Sequence, residues 1–207
     1  MSTLVDTIKD YIRTAMRAVA RMLNSISGGR ISPNVITILG ALLHIPVAIA
    51  IALDMHILAA VLLAIFGLFD TLDGELARLQ HSTSKTGMLL DSVSDRAKEV
   101  VLYIGATASF VASGRPWLSL WAIAACGGSL LVSYVNAWGE AIMAHAHINK
   151  QTINRMFRGG LMRFEIRMLV LVIGLAVNQL AIAVIIIAIL SWFTVLQRFV
   201  FVTKGLS

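Results

Sequence analysis

Apolar residues along the chain gather in runs of bilayer-crossing length, and short polar connections separate them. An α-helix needs roughly 20 mostly apolar residues to cross ~30 Å of hydrocarbon. Residues 35–53 supply nineteen positions without a charge, broken only by His44 and Pro46. Residues 57–80 open with thirteen apolar positions and then turn acidic at Asp70. Residues 87–113 reverse that order, with charges first and an apolar tail from Val100. Residues 117–144 carry one charge, Glu140, and residues 161–177 and 180–202 complete the set. The pattern predicts an all-α integral membrane protein of six transmembrane helices.

Ahead of the first span the period changes. Lys9, Arg13, Arg17 and Arg21 recur every four residues and form one slowly drifting stripe, while Leu4, Ile8, Ile12, Ala15, Val19 and Met22 fall on other faces. This predicts an interfacial amphipathic helix, basic face toward lipid phosphate. A solvated charged face is the plainer alternative. Ser27-Gly28-Gly29 ends the helix, and Pro33 suits the first turn of span one. The chain thus divides into a juxtamembrane helix, residues 1–30, and a six-helix membrane domain, residues 31–207. Acids and bases interrupt the first thirty residues, which argues against a secretory signal.

Composition agrees with a membrane chain and removes other classes. With 58% hydrophobic and 14% charged residues, neither a water-facing globule nor a disordered chain is expected. The single cysteine, Cys126, cannot form an internal disulfide. A net charge of +6 in so apolar a chain points to anionic lipid rather than nucleic acid. Its placement sets orientation. Basic residues cluster before span one, at Arg78 and Lys85, around Lys150, Arg155, Arg158 and Arg163, and at Lys204; the opposite connections hold only Arg115. By the positive-inside rule both termini lie in the cytoplasm of a multi-pass cell-membrane protein.

The acids do not belong in hydrocarbon. Asp70 falls ~20 Å along its helix from Ile57, inside the apolar boundary. A centrally buried charge costs roughly 2.5–3.5 kcal/mol, so intramembrane acids are functional candidates. Asp70, Asp73, Gly74 and Ala77 share one helical face, and Gly87, Asp91 and Asp95 share another. Joined by a short loop, the two faces converge at the cytoplasmic end. Carboxylates at this density suit Mg²⁺ or Mn²⁺, and with phosphate oxygens they would form a phosphoryl-transfer site. Arg78, one turn beyond Gly74, is placed to hold a diphosphate. The plainer alternative pairs Asp95 with Lys98, Glu99 with Arg96 and Glu75 with Arg78; it explains Glu75 and Glu99, but too few bases lie near the four aspartates as a set. A cation transporter using the same acids is the rival reading.

Together these residues run Asp70-x2-Asp73-Gly74-x2-Ala77-Arg78-x8-Gly87-x3-Asp91-x3-Asp95. This resembles the signature of the CDP-alcohol phosphotransferase family with every fixed position filled. Six spans, an amphipathic first helix and Ser32-Pro33-Asn34 opening span one extend the likeness over most of the chain. The resemblance implies transfer of a substituted phosphate from a CDP-linked alcohol, often CDP-diacylglycerol, to an acceptor hydroxyl with release of CMP. It implies metal ligands at Asp70, Asp73, Asp91 and Asp95, with Asp95 also the base. It further implies donor contacts at Pro33, Asn34, Val35, Ile36, Gly74, Arg78 and Ser84, and a homodimer opening to the cytoplasm.

The second half should select the acceptor. Arg158, Arg163, Arg167 and Arg198 face one end, which suits a phosphorylated alcohol, and Arg163 and Arg167 stand four residues apart. The Ser133-Tyr134 pair and Thr194-Val195-Leu196-Gln197-Arg198 look similar to the branch that makes phosphatidylinositol phosphate from inositol phosphate. Asn136 and Trp138 depart from that branch, where basic residues follow the Ser-Tyr pair. Glycerol 3-phosphate, and a donor carrying archaeal lipid, therefore stay open.

Overall fold

A computed structural model describes residues 3–146 and 161–206. Lys150, Arg155 and Arg158 lie outside the described residues. The chain forms α1 (Thr3–Ile26), α2 (Pro33–Ala52), α3 (His56–Phe66), α4 (Phe69–Leu79) and α5 (Lys85–Ala112). One 3₁₀ turn, Pro116–Leu118, then leads into α6 (Ser119–His145), followed by α7 (Phe164–Ala176) and α8 (Leu180–Leu206). No strand occurs among the described residues.

Among the described residues, four stretches are long and apolar enough to cross a bilayer: Pro33–Ala52, His56–Leu79, Pro116–His145 and Leu180–Gly205. The protein is therefore an all-helical, multi-pass membrane protein. The six expected spans are not all of this kind. The first half of α5 carries the acids, and α7 has 13 residues, only ~20 Å of helix. The second expected span is also divided. At Gly67–Leu68 the ladder tightens, Leu68 N–H donating to Ile65 O at 3.1 Å, three residues back, before α4 begins.

Packing pairs α2 with α5, α6 with α8, and α3 with α7. Val47, Ile51, Leu63, Leu102 and Phe110 belong to the main buried cluster. Close approach of α2 and α5 depends on Gly105. A Cβ there would stand 2.5 Å from Ala48 O and 2.9 Å from Ala48 Cα. Neither backbone atom can swing aside, so such overpacking costs about 1–3 kcal/mol.

α1 docks on α4, with Ala20 fully buried beside Leu72, Leu76 and Ile36. Its basic stripe is partly turned toward protein. Arg13 Nε and Arg17 Nε lie 3.3 and 3.1 Å from the oxygens of Glu75, a carboxylate only 3% exposed. At the other end of the bundle a polar knot ties three connections. Ser109 Oγ and Ser113 Oγ donate to the two oxygens of Asp54, at 2.5 and 3.1 Å. His56 Nδ1 meets Asn178 Oδ1 across the same end. Asp54 and Asn178 both have positive φ, 55° and 58°, a conformation these short polar side chains tolerate. The Ser109 hydroxyl, more than any other neighbour, holds the Asp54 carboxyl below its ordinary range.

Candidate active site

The start of α2, the face of α4 and the first turns of α5 enclose a cleft of about 160 Å³. Pro33 at the first turn of α2 places Asn34 and Thr37 along its edge. Thr37 Oγ1 donates to Asp73 Oδ2 at 2.6 Å, fixing one site carboxylate from the neighbouring helix. Across the cleft Ser84 caps α5, its Oγ accepting from Gly87 N–H at 3.0 Å. A Cβ at Gly87 would lie 3.2 Å from Ser84 Oγ and 3.3 Å from Asn34 Oδ1, so the absent side chain keeps this corner open. The turn between α4 and α5 is held from behind: Gln80 Nε2 donates to Asn24 Oδ1 at 2.9 Å and to Ile31 O at 3.0 Å.

Arg78 reaches over the cleft from α4. Its Nη2 donates to Glu75 Oε1 at 2.7 Å, and its side chain is 52% exposed. Glu75 thus collects three guanidinium groups, two from α1 and one at the cleft. The anticipated pairings of Glu75 with Arg78 and of Glu99 with Arg96, 3.2 Å apart, are both present.

The four aspartates divide into two pairs. Asp73 and Asp91 line the cleft. Asp70 and Asp95 do not, and both meet the buried ammonium of Lys98: Nζ bonds Asp70 Oδ1 and lies 3.2 Å from Asp95 Oδ1. The expectation of too few bases near the aspartates thus holds for one pair only. Among the described residues no three His, Cys, Asp or Glu side chains close into a metal shell. The donor chemistry is nonetheless that of a hard divalent ion, and the Lys98 ammonium already stands as a cation between two of the carboxylates.

Of the expected donor-binding positions, Pro33, Asn34, Gly74, Arg78 and Ser84 line the cleft. Val35 and Ile36 do not. Val35 is 55% exposed, and Ile36 is buried against α1 and α4. Successive helical residues point 100° apart, so a continuous run of four cannot all face one cleft. Thr37, one turn beyond Pro33, takes the inward place, and Ser82 and Thr83 add hydroxyls from the turn. The four-residue spacing from Pro33 was the available signal for Thr37.

The acceptor arginines separate as well. Arg167 is fully buried and committed: Nε and Nη2 donate to Glu99 at 2.6 and 3.0 Å, and Nη1 donates to Met162 O. Each of its three nitrogens already has a protein partner and the side chain is fully buried, so Arg167 is a structural ion pair with Glu99 in this arrangement. Arg163 has extended backbone, ψ 162°, as the residue before α7. Arg198 is 4% exposed; Nη1 donates to Val132 O at 3.1 Å, whereas its buried Nε has no partner. Arg158 lies outside the described residues.

An all-helical membrane fold with an acidic, arginine-edged cleft at a helix N-terminus defines a class suited to diphosphate chemistry. The sequence profile of the CDP-alcohol phosphatidyltransferases matches residues 30–200, and the chain belongs to that family. It is therefore a transferase, and the transporter reading is set aside. The chain is 30% identical over 196 residues to the archaetidylinositol phosphate synthase of Pyrococcus horikoshii, covering 94% of each. It is 32% identical over 185 residues to the phosphatidylinositol phosphate synthase of Corynebacterium glutamicum, covering 85% of this chain and 80% of that one. The fold matches the phosphatidylinositol phosphate synthase of Mycobacterium tuberculosis solved with CDP-DAG bound, with TM-score 0.76 and 23% identity over 90% of this chain and 92% of that one. It also matches that enzyme's complex with manganese and citrate, with TM-score 0.77 and 23% identity over 91% and 89%.

Proposed function

We propose that the protein transfers a phosphatidyl-type group from a CDP-linked lipid, CDP-diacylglycerol or an archaeal equivalent, to the hydroxyl of a small phosphorylated alcohol such as inositol phosphate. The observation that carries this is the cleft itself, where Pro33, Asn34, Gly74, Arg78 and Ser84 surround Asp73 and Asp91. The names of the P. horikoshii and C. glutamicum relatives support an inositol phosphate acceptor.

Donor diphosphate lies along Arg78 and against the N-terminus of α5, an end that favours anions. Asp95 takes the proton of the acceptor hydroxyl while the new O–P bond forms and the P–O bond to CMP breaks. Asp70, Asp73, Asp91 and Asp95 would hold Mg²⁺ or Mn²⁺, which when bound neutralises the diphosphate oxygens. The acceptor's own phosphate is held by Arg163 and Arg198, whose unpartnered Nε needs an acceptor. Arg167 supports them from its pair with Glu99.

Around this chemistry the chain works as a juxtamembrane helix, residues 1–30, and a membrane domain, residues 31–207. α5 and α7 complete six membrane segments, with both termini and the cleft on the cytoplasmic side, in a homodimer. The test is CMP release from detergent-purified protein given CDP-diacylglycerol, Mg²⁺ or Mn²⁺, and inositol phosphate, glycerol 3-phosphate, free inositol or serine. Metal-dependent CMP release fastest with inositol phosphate is expected. No CMP from any pairing overturns the reaction, and preference for an uncharged alcohol overturns the acceptor.

A further inference from the structure

Asn136, one of the two residues that depart from the inositol phosphate branch, has no part in the reaction described above. It stands on α6 one turn beyond Val132, whose carbonyl accepts from Arg198 Nη1 at 3.1 Å. Residues four apart share a helical face, so Asn136 lies on the side of α6 that meets Arg198 of α8. Its Nδ2 donates to Glu140 Oε1 at 3.1 Å, one further turn along. That bond turns the amide oxygen away from Glu140, and Asn136 Oδ1 is buried without a hydrogen-bond partner. Arg198 Nε is buried and unpartnered as well. Glu140, Arg163 and Arg167 lie within electrostatic reach of Arg198, and Arg167 is paired with Glu99.

These groups ask for different partners. A guanidinium N–H donates, whereas an amide oxygen and a carboxylate accept. Arg198 Nε and Arg163 therefore suit phosphate oxygens. Asn136 Oδ1 and Glu140 suit O–H groups, and Glu140 repels any phosphate that strays to that end. A buried acceptor without a donor is costly, and a hydroxyl seated against Asn136 removes that cost.

We propose that Asn136 and Glu140 read the hydroxyls of the acceptor, so that the site selects a phosphorylated polyol with several free hydroxyls over glycerol 3-phosphate. The inference rests on the phosphatidyl-transfer reading above, with Arg198 on the acceptor's phosphate. Glu140 holds the amide in place, and the two groups each accept from a hydroxyl that does not react. Glycerol 3-phosphate keeps one hydroxyl besides the reacting one, so it leaves one of the two acceptors empty. A site built to bond a hydroxyl discriminates strongly against a substrate that lacks it.

Full-length protein in detergent is assayed for CMP release from CDP-diacylglycerol, with inositol phosphate and glycerol 3-phosphate as separate acceptors. The readout is the ratio of the two kcat/KM values. The wild type is expected to favour inositol phosphate. Asn136→Leu should lower the ratio at least about tenfold, with the donor's KM little changed. Glu140→Gln, at an exposed position, should lower it several-fold and decides the matter if Asn136→Leu fails to fold. A residue that only braced α6 would slow both acceptors alike and leave the ratio where it was. An unchanged ratio in a folded variant, or a wild type that prefers glycerol 3-phosphate, overturns the proposal while the transferase reading stands. No CMP with either acceptor sinks that reading and this inference with it.

Discussion

Asp95, the base of the proposed reaction, lies between Lys98 and Arg96. Asp95→Asn is expected to lower kcat about 10²–10⁴-fold while donor affinity holds, because the base is lost but the cleft carboxylates remain. Single-turnover CMP release alongside equilibrium binding of the CDP-donor distinguishes the two effects. Arg198→Lys keeps the charge but loses the planar fork, so the acceptor's KM should rise at least several-fold with the donor's KM little changed. An effect confined to the donor would dismiss Arg198 from the acceptor. At this scale the sequence was legible where helical period alone decides. The spacing brings the four aspartates to neighbouring stretches of α4 and α5 but not to one role: Asp73 and Asp91 line the cleft, while Asp70 and Asp95 meet Lys98. The Asp95–Lys98 pair was legible from its three-residue spacing, whereas the bonds of Lys98 to Asp70 and of Thr37 to Asp73 span 28 and 36 positions and were not. Arg163 and Arg167 are not two positions of one helix, since Arg163 precedes α7 with extended backbone, which the four-residue spacing alone could not show.

Among the elements, α1 is tied to the chemistry through one carboxylate. Glu75 holds Arg13 and Arg17 from one side and Arg78 from the other. Glu75→Gln should therefore loosen two things together. The donor's KM rises as Arg78 loses its anchor, and α1 becomes easier for trypsin to cut. A raised KM with unchanged proteolysis would mean that α1 is held by its apolar contacts alone. The sequence stripe foretold a basic helix but not its bond to α4, since a stripe gives a face without naming what it meets. The break at Gly67–Leu68 was hidden for a similar reason, inside an unbroken apolar run. At the opposite end Asp54 predicts a pH effect. Its carboxyl is held below its ordinary range, chiefly by Ser109, so its share of stability is complete above that range. That share disappears as pH falls through the depressed value. Thermal midpoints in detergent should thus fall more steeply below about pH 4 for wild type than for Asp54→Asn. Parallel curves would remove the knot from the stability of the fold.

For the whole molecule, fold class was plain from apolar run length, while the number of full crossings was not. Charge in the first half of α5 and the shortness of α7 make those two segments depend on neighbours rather than on lipid. Exposed apolar side chains stand next to cleft residues in the chain: Met88, which lines the cleft, is 72% exposed, and Val35 and Leu89 are 55% and 65% exposed. On the proposed reading, a donor headgroup seated between Asn34 and Arg78 would leave its acyl chains among the surrounding lipids. Substrate capture becomes an encounter in two dimensions, and the quantity that governs rate is the donor's mole fraction in the bilayer or micelle. Adding inert detergent at fixed bulk donor should slow CMP release in proportion to that dilution. A rate that followed bulk concentration instead would require the donor to leave the lipid phase before it reacts.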